Sequence, residues 1–100
     1  MVTPAAFKRS LTQREPPNDL SVALQSLWWA GKDDWERAHR LAMQGEGTDV
    51  AWVHAYLHRV EGDLPNAGYW YRQAKRPVAT IDLVEERTAL VTELLFAGNK

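Results

Sequence analysis

The 100-residue chain has no cysteine, no long apolar run and no excess of either charge. Without cysteine, disulfides, thiolate metal sites and cysteine nucleophiles are all excluded. The formal net charge of −1 argues against a nucleic-acid-binding domain, whose binding face is usually basic. No apolar stretch approaches the roughly 18 residues of a membrane span, and the opening segment MVTPAAFKRS lacks the apolar part of a secretory signal. These absences predict a cytoplasmic protein whose partners include neither nucleic acid nor membrane.

Motifs of the common enzyme classes are absent as well. None of the serines, Ser10, Ser21 and Ser26, lies in the Gly-x-Ser-x-Gly turn of hydrolases. The segment Gly45-Glu46-Gly47 lacks the Gly-Lys-Ser/Thr that completes a phosphate-binding loop. No pair of carboxylates is set apart in an apolar segment, as a general acid and base would be. We therefore expect a non-enzymatic protein with no catalytic residues and no cofactor.

Helical periodicity dominates the chain after residue 18. Residues 1–18 carry three prolines and no sustained period, which predicts an irregular N-terminal arm. Beyond it, apolar residues recur at helical spacing, with glycine or proline at the breaks. Helices are predicted at about residues 19–30, 33–44, 49–61, 65–75 and 81–97. The sequence thus predicts an all-α fold of about five helices, in a single domain over residues 19–98.

A weak internal repeat relates the first four of these helices. A shift of 29 residues aligns Trp28 with Leu57 and Ala38 with Ala67, so each unit is a helix, a glycine turn and a second helix. One such hairpin cannot bury its own apolar face, and stacking is therefore expected. The second unit, Gly62-Asp63-Leu64-Pro65-Asn66-Ala67 followed by Tyr71, Ala74 and Pro77, resembles a tetratricopeptide repeat. This resemblance implies two stacked αα-hairpins, with the helix at 81–97 as a C-terminal cap.

A second resemblance involves the same hairpin. The run Ala51–Arg59, together with Asn66 and Tyr69-Trp70-Tyr71-Arg72, is similar to a small group of bacterial proteins and implies no activity. Helical repeats of this kind present a surface to a protein or peptide, and Trp and Tyr are enriched at such interfaces. The first expectation is therefore an interaction module that binds a protein or peptide through aromatic, histidine and arginine side chains: Trp29, Trp52, His54, His58, Arg59, Tyr69, Trp70 and Arg72.

The alternative is a small enzyme or metal-binding protein centred on the histidines. His54, His58 and Glu61 follow the spacing His-x-x-x-His-x-x-Glu, which places three potential ligands along one side of a helix. Two histidines at i and i+4 are a zinc-binding arrangement, and His39 from the preceding helix is a further candidate ligand. The catalytic zinc-protease motif is absent, because Ala55 stands where that motif has glutamate. The alternative to a cofactor-free protein is thus a protein that binds zinc through four residues: His39, His54, His58 and Glu61.

The helix at 81–97 is predicted either to cap the hairpins or to form a homodimer. Its apolar positions make a stripe broader than capping requires, with Arg87 on the same side near the middle. Because an unpaired buried charge is costly, we expect Arg87 either to reach the rim or to meet a carboxylate. A structural homodimer with no other ligand is the third interpretation of the chain.

Overall fold

A computed structural model describes residues 2–97 of the chain. In that range it contains six α-helices and no strand, so the predicted all-α class is confirmed. None of these helices has the length and hydrophobicity needed to cross a bilayer. The helices, in chain order, are α1 (Pro4–Ser10), α2 (Val22–Gly31), α3 (Trp35–Gln44), α4 (Thr48–Val60), α5 (Leu64–Ala74) and α6 (Leu83–Ala97).

Two helical hairpins, α2–α3 and α4–α5, form the body of the fold. Ala38 in α3 and Ala67 in α5, which the internal repeat aligns, are both fully buried. Alanine at these positions lets the two helix backbones of each hairpin approach closely. Asp34 and Asp63 cap the second helix of each hairpin, because their carboxylates accept hydrogen bonds from the backbone N–H groups of Arg37 and Asn66.

Helix α4 lies at the centre of the molecule. Every residue from 50 to 58 is buried, because α2, α3, α5 and α6 all pack against α4. A helix buried on all sides is the usual place for an apolar run, yet α4 carries His54 and His58 within it. Both histidines are 6% exposed, so each polar ring nitrogen needs a partner inside the protein.

The segment expected to be an irregular arm contains helix α1. The hydroxyl of Thr3 accepts the N–H of Ala6, and Pro4 occupies the first turn, where its missing N–H costs nothing. Phe7 is 4% exposed, and the buried Ser10 hydroxyl accepts the indole N–H of Trp28. A helix of 7 residues is too short to show a period in sequence, and its stability comes from this packing.

Helix α6 packs across α2 and α4 and touches α1, with Leu90, Val91, Leu94 and Leu95 buried. The buried charge on this helix is Glu86, at 2% exposed, whereas Arg87, which we expect either to reach the rim or to meet a carboxylate, is only half-buried. Glu86 accepts hydrogen bonds from the Tyr71 hydroxyl at 2.5 Å and from Arg59 at 2.9 Å. The Glu86 carboxylate therefore joins α6 to both helices of the α4–α5 hairpin.

Candidate metal centre

The three histidines of the chain meet between α3, α4 and α5. His39 Nε2 lies 3.1 Å from His54 Nε2, and the rings of His54 and His58 stack with centroids 4.9 Å apart. One ring nitrogen from each histidine can be chosen so that all three atoms lie within 4.8 Å of one another. The i, i+4 spacing predicts that His54 and His58 share one side of α4, and their common contact with His39 agrees with this.

Two tryptophans hold the histidine rings in place. Trp35 stacks on His39, with centroids 4.6 Å apart, and its indole N–H donates to the carbonyl oxygen of Leu57 at 2.7 Å. Trp70, from α5, stacks on His54 with centroids 4.0 Å apart. These indoles restrict the rotation of two of the three imidazoles and limit the access of water to them.

Two polar side chains contact His58. The carboxylate of Glu61, the residue that caps the C-terminus of α4, lies 2.6 Å from His58 Nδ1. In the neutral tautomer that carries its proton on Nδ1, His58 donates to this carboxylate and has its lone pair on Nε2. The side-chain amide of Asn66 lies 3.4 Å from that Nε2. Glu61 is thus placed to orient His58 rather than to coordinate the same ion.

Burial keeps the other two rings neutral at physiological pH. It lowers the pKa of His54 from 6.5 to about 4, helped by the nearby positive charge that His39 and His58 would carry if protonated. Burial also lowers the pKa of His39, again reinforced by His58, while Glu61 acts weakly in the opposite direction. Neutral imidazole is the form that coordinates a metal ion, so these rings need lose no proton to bind one.

The structure brings only some of the predicted binding residues together. His54, His58 and Trp70 belong to the histidine cluster, Tyr69 is exposed but packs edge-to-face on Trp70 with centroids 5.1 Å apart, and Arg72 is exposed. The other three predicted residues, Trp29, Trp52 and Arg59, lie outside the cluster. Trp29 and Trp52 are each covered by an arginine, Arg37 and Arg76 respectively, and Arg59 forms an ion pair with Glu86.

The sequence pattern did not indicate the ring-stacking role of Trp35. It lies one turn before His39 on α3, and that i, i+4 spacing of two rings is the signal that could have identified the pair. Asp63 is a further candidate ligand, because its carboxylate forms a second potential cluster with His58 and Glu61. Both acidic residues of that cluster are exposed, and Asp63 is already engaged as the N-cap of α5.

Comparison with known proteins found no match: no family model, no curated protein and no solved structure matches the chain.

Proposed function

We propose that this protein binds one divalent first-row transition-metal ion, with zinc as the default, through His39, His54 and His58. The convergence of three imidazoles at the centre of a small fold carries the proposal. Nitrogen ligands select this class of metal over calcium and magnesium, which prefer oxygen. The proposed role is non-enzymatic, because the ion would lie among packed helices with Trp35 and Trp70 against its ligands.

The spacing of the donor atoms supports this proposal. Ligands of a tetrahedral zinc ion at 2.0–2.1 Å lie about 3.3 Å from one another. The Nε2 atoms of His39 and His54 are already 3.1 Å apart. All three donor atoms lie within 4.8 Å of one another, so bringing them to the tetrahedral spacing requires the rings to approach by at most about 1.5 Å. The orientation of His58 by Glu61 repeats the carboxylate–histidine–metal arrangement that increases ligand basicity.

Titration of metal-free, tag-free protein with zinc tests the proposal. We expect one ion per chain and an increase in the free energy of unfolding of about 2.7 kcal/mol at 100 times the dissociation constant. His39→Gln removes the least buried ligand and should abolish both effects, while Arg40→Gln, at an exposed position of the same helix, should change neither. Substoichiometric binding, or binding that persists in both His39→Gln and His54→Gln, would refute the metal site.

A second candidate function is recognition of a protein or peptide by the outer face of α5. Pro65, Tyr69 and Arg72 recur at i, i+4 and i+7 on this face, and all three are exposed. Tyr69 is 46% exposed although tyrosine favours burial, and an exposed Tyr–Arg pair is typical of interface hot spots. A photo-crosslinking amino acid at position 69 should give one discrete adduct in cells, which Arg72→Glu removes. Equal labelling from a crosslinker at exposed Met43 would exclude a specific partner at α5.

A further inference from the structure

Asn66 lies next to the proposed metal site, in the first turns of α5. Its side-chain nitrogen is 3.4 Å from His58 Nε2, the ring nitrogen that does not contact Glu61. Trp70 follows one helical turn later and stacks on His54. Helix α5 therefore presents Asn66 and Trp70 on one face, directed at the two histidines of α4.

In the metal-free protein the Asn66 amide occupies the position from which an ion must reach His58. In the neutral tautomer with its proton on Nδ1, His58 donates to Glu61 and its Nε2 accepts from the Asn66 Nδ2–H group. An ion that coordinates Nε2 has to displace this hydrogen bond. The position and length of the asparagine side chain therefore affect binding directly.

The spacing around Asn66 is that of neighbouring ligands. The 3.4 Å between the Asn66 amide and His58 Nε2 is close to the roughly 3.3 Å that separates donors around tetrahedral zinc. A half-turn of the amide exchanges Nδ2 for Oδ1 at nearly the same point, and an amide oxygen is a metal ligand. We infer that Asn66 turns its side-chain oxygen inward when the ion binds and supplies the fourth ligand. This inference rests on the proposed metal function.

A fourth ligand from the protein decides what kind of site this is. Structural zinc sites have four protein ligands, whereas catalytic sites keep one position for water or substrate. With His39, His54, His58 and Asn66 around it, the ion has no open position. The site then retains a metal ion and ties α5 to α3 and α4, without activating a water molecule.

Variants at position 66 test the inference by zinc titration of the full chain. Asn66→Ala should weaken zinc binding by at least about tenfold. Tenfold is the lower end of the loss usually seen when a residue that supports metal ligands is replaced. Asn66→Asp keeps an oxygen at the same place, adds negative charge and should bind zinc at least as tightly as the wild type. The cap of α5 uses the backbone N–H of residue 66, so both variants retain it. Gln73→Ala, at an exposed position of the same helix, is the matched control.

Cobalt substitution tests the closure of the site separately. The visible spectrum of the Co²⁺-loaded wild type should indicate four-coordination and should not change when azide is added, because no position is free. In Asn66→Ala a solvent position opens, and azide should alter the spectrum. Equal or tighter zinc binding by Asn66→Ala, or an azide response in the wild type, would overturn the role of Asn66 while leaving the three-histidine site. Failure of the wild type to bind zinc or cobalt would overturn both.

Discussion

The indole of Trp70 lies flat on the imidazole of His54, with ring centroids 4.0 Å apart and an interplanar angle of 12°. The two residues come from the two helices of one hairpin, so this stack joins α4 to α5 at the level of the histidine cluster. It also explains why His54 is neutral, because an indole displaces the water that would solvate an imidazolium.

The first prediction is that the metal-free protein loses stability between pH 6.5 and about pH 4. The pKa of His54 is about 4 in the folded state, against the ordinary 6.5 of an unfolded chain. Between these values the unfolded state binds more protons, so the stability present above pH 6.5 falls as the pH is lowered. The expected loss is roughly 2–3 kcal/mol, measured by urea unfolding at a series of pH values.

His54→Gln provides the control for this pH dependence. Glutamine does not titrate, so the variant should lose most of the slope between pH 6.5 and 4 even if its stability at pH 7 is lower. Protonation of surface carboxylates affects both proteins equally and cancels in the difference. An identical slope in the two proteins would show that His54 is not the group responsible.

The second prediction concerns the hydrogen bond from Tyr71 to Glu86. Burial and the adjacent Glu86 carboxylate raise the pKa of Tyr71, so its hydroxyl remains a donor at all ordinary pH values. Tyr71→Phe leaves one oxygen of a buried carboxylate without this partner and should cost about 1–3 kcal/mol in unfolding free energy. Tyr69→Phe, on the exposed side of the same helix, should lie within about 0.5 kcal/mol of the wild type. Equal effects of the two substitutions would contradict a special role for the buried pair.

Two glycines of the α4–α5 hairpin should respond in opposite directions to alanine. Gly62 has φ +86°, and no atom lies within 4 Å of an added Cβ, so Gly62→Ala introduces backbone strain and no clash. We expect a loss of about 1–2 kcal/mol. Gly68 lies within α5, where an added Cβ meets only the Arg72 side chain at 3.8 Å, and Gly68→Ala should stabilise by about 0.5–1 kcal/mol. Thermal unfolding of both variants measures the contrast, and a stabilising Gly62→Ala would refute the turn geometry.

Local patterns predicted the helices better than they predicted the contacts between them. The breaks at Gly45-Glu46-Gly47 and Gly62 are local features, so the helices from α2 to α5 follow from the sequence. The i, i+4 spacing of His54 and His58 likewise places both on one side of α4 without tertiary information.

Contacts between distant segments do not follow from local sequence patterns. Phe7 becomes a core residue because α1 packs on α6 and is bonded to α2 through Ser10 and Trp28. Glu86 and Arg87 are neighbours in sequence, and which of them is buried depends on where Arg59 and Tyr71 stand in the folded chain. The position of Asn66 against His58 depends in the same way on how closely α5 packs on α4.

Self-association through α6 is a further prediction. The outer face of this helix exposes Phe96 at 71% and Val84 at 56%, while its inner face already fills the core. We expect a concentration-dependent dimer in size exclusion with light scattering, because pairing of two such faces removes both side chains from water. Val84→Glu should shift the equilibrium to the monomer, and Thr12→Glu, at an exposed position after α1, should not. A single species of about 11.4 kDa at high concentration would leave α6 as a cap alone.

The last prediction separates the role of Glu61 in the three-histidine site from the competing cluster at His58, Glu61 and Asp63. If Glu61 orients His58, Glu61→Gln weakens zinc binding by about 10- to 100-fold, the usual effect of losing such a partner. Asp63→Asn retains the cap of α5, since asparagine caps helices as well as aspartate does, and should leave zinc binding unchanged. Calorimetric titration of the two variants beside His39→Gln decides between the sites. An ion held by the acidic cluster would be lost in Asp63→Asn and retained in His39→Gln, the reverse of the pattern that the three-histidine site requires.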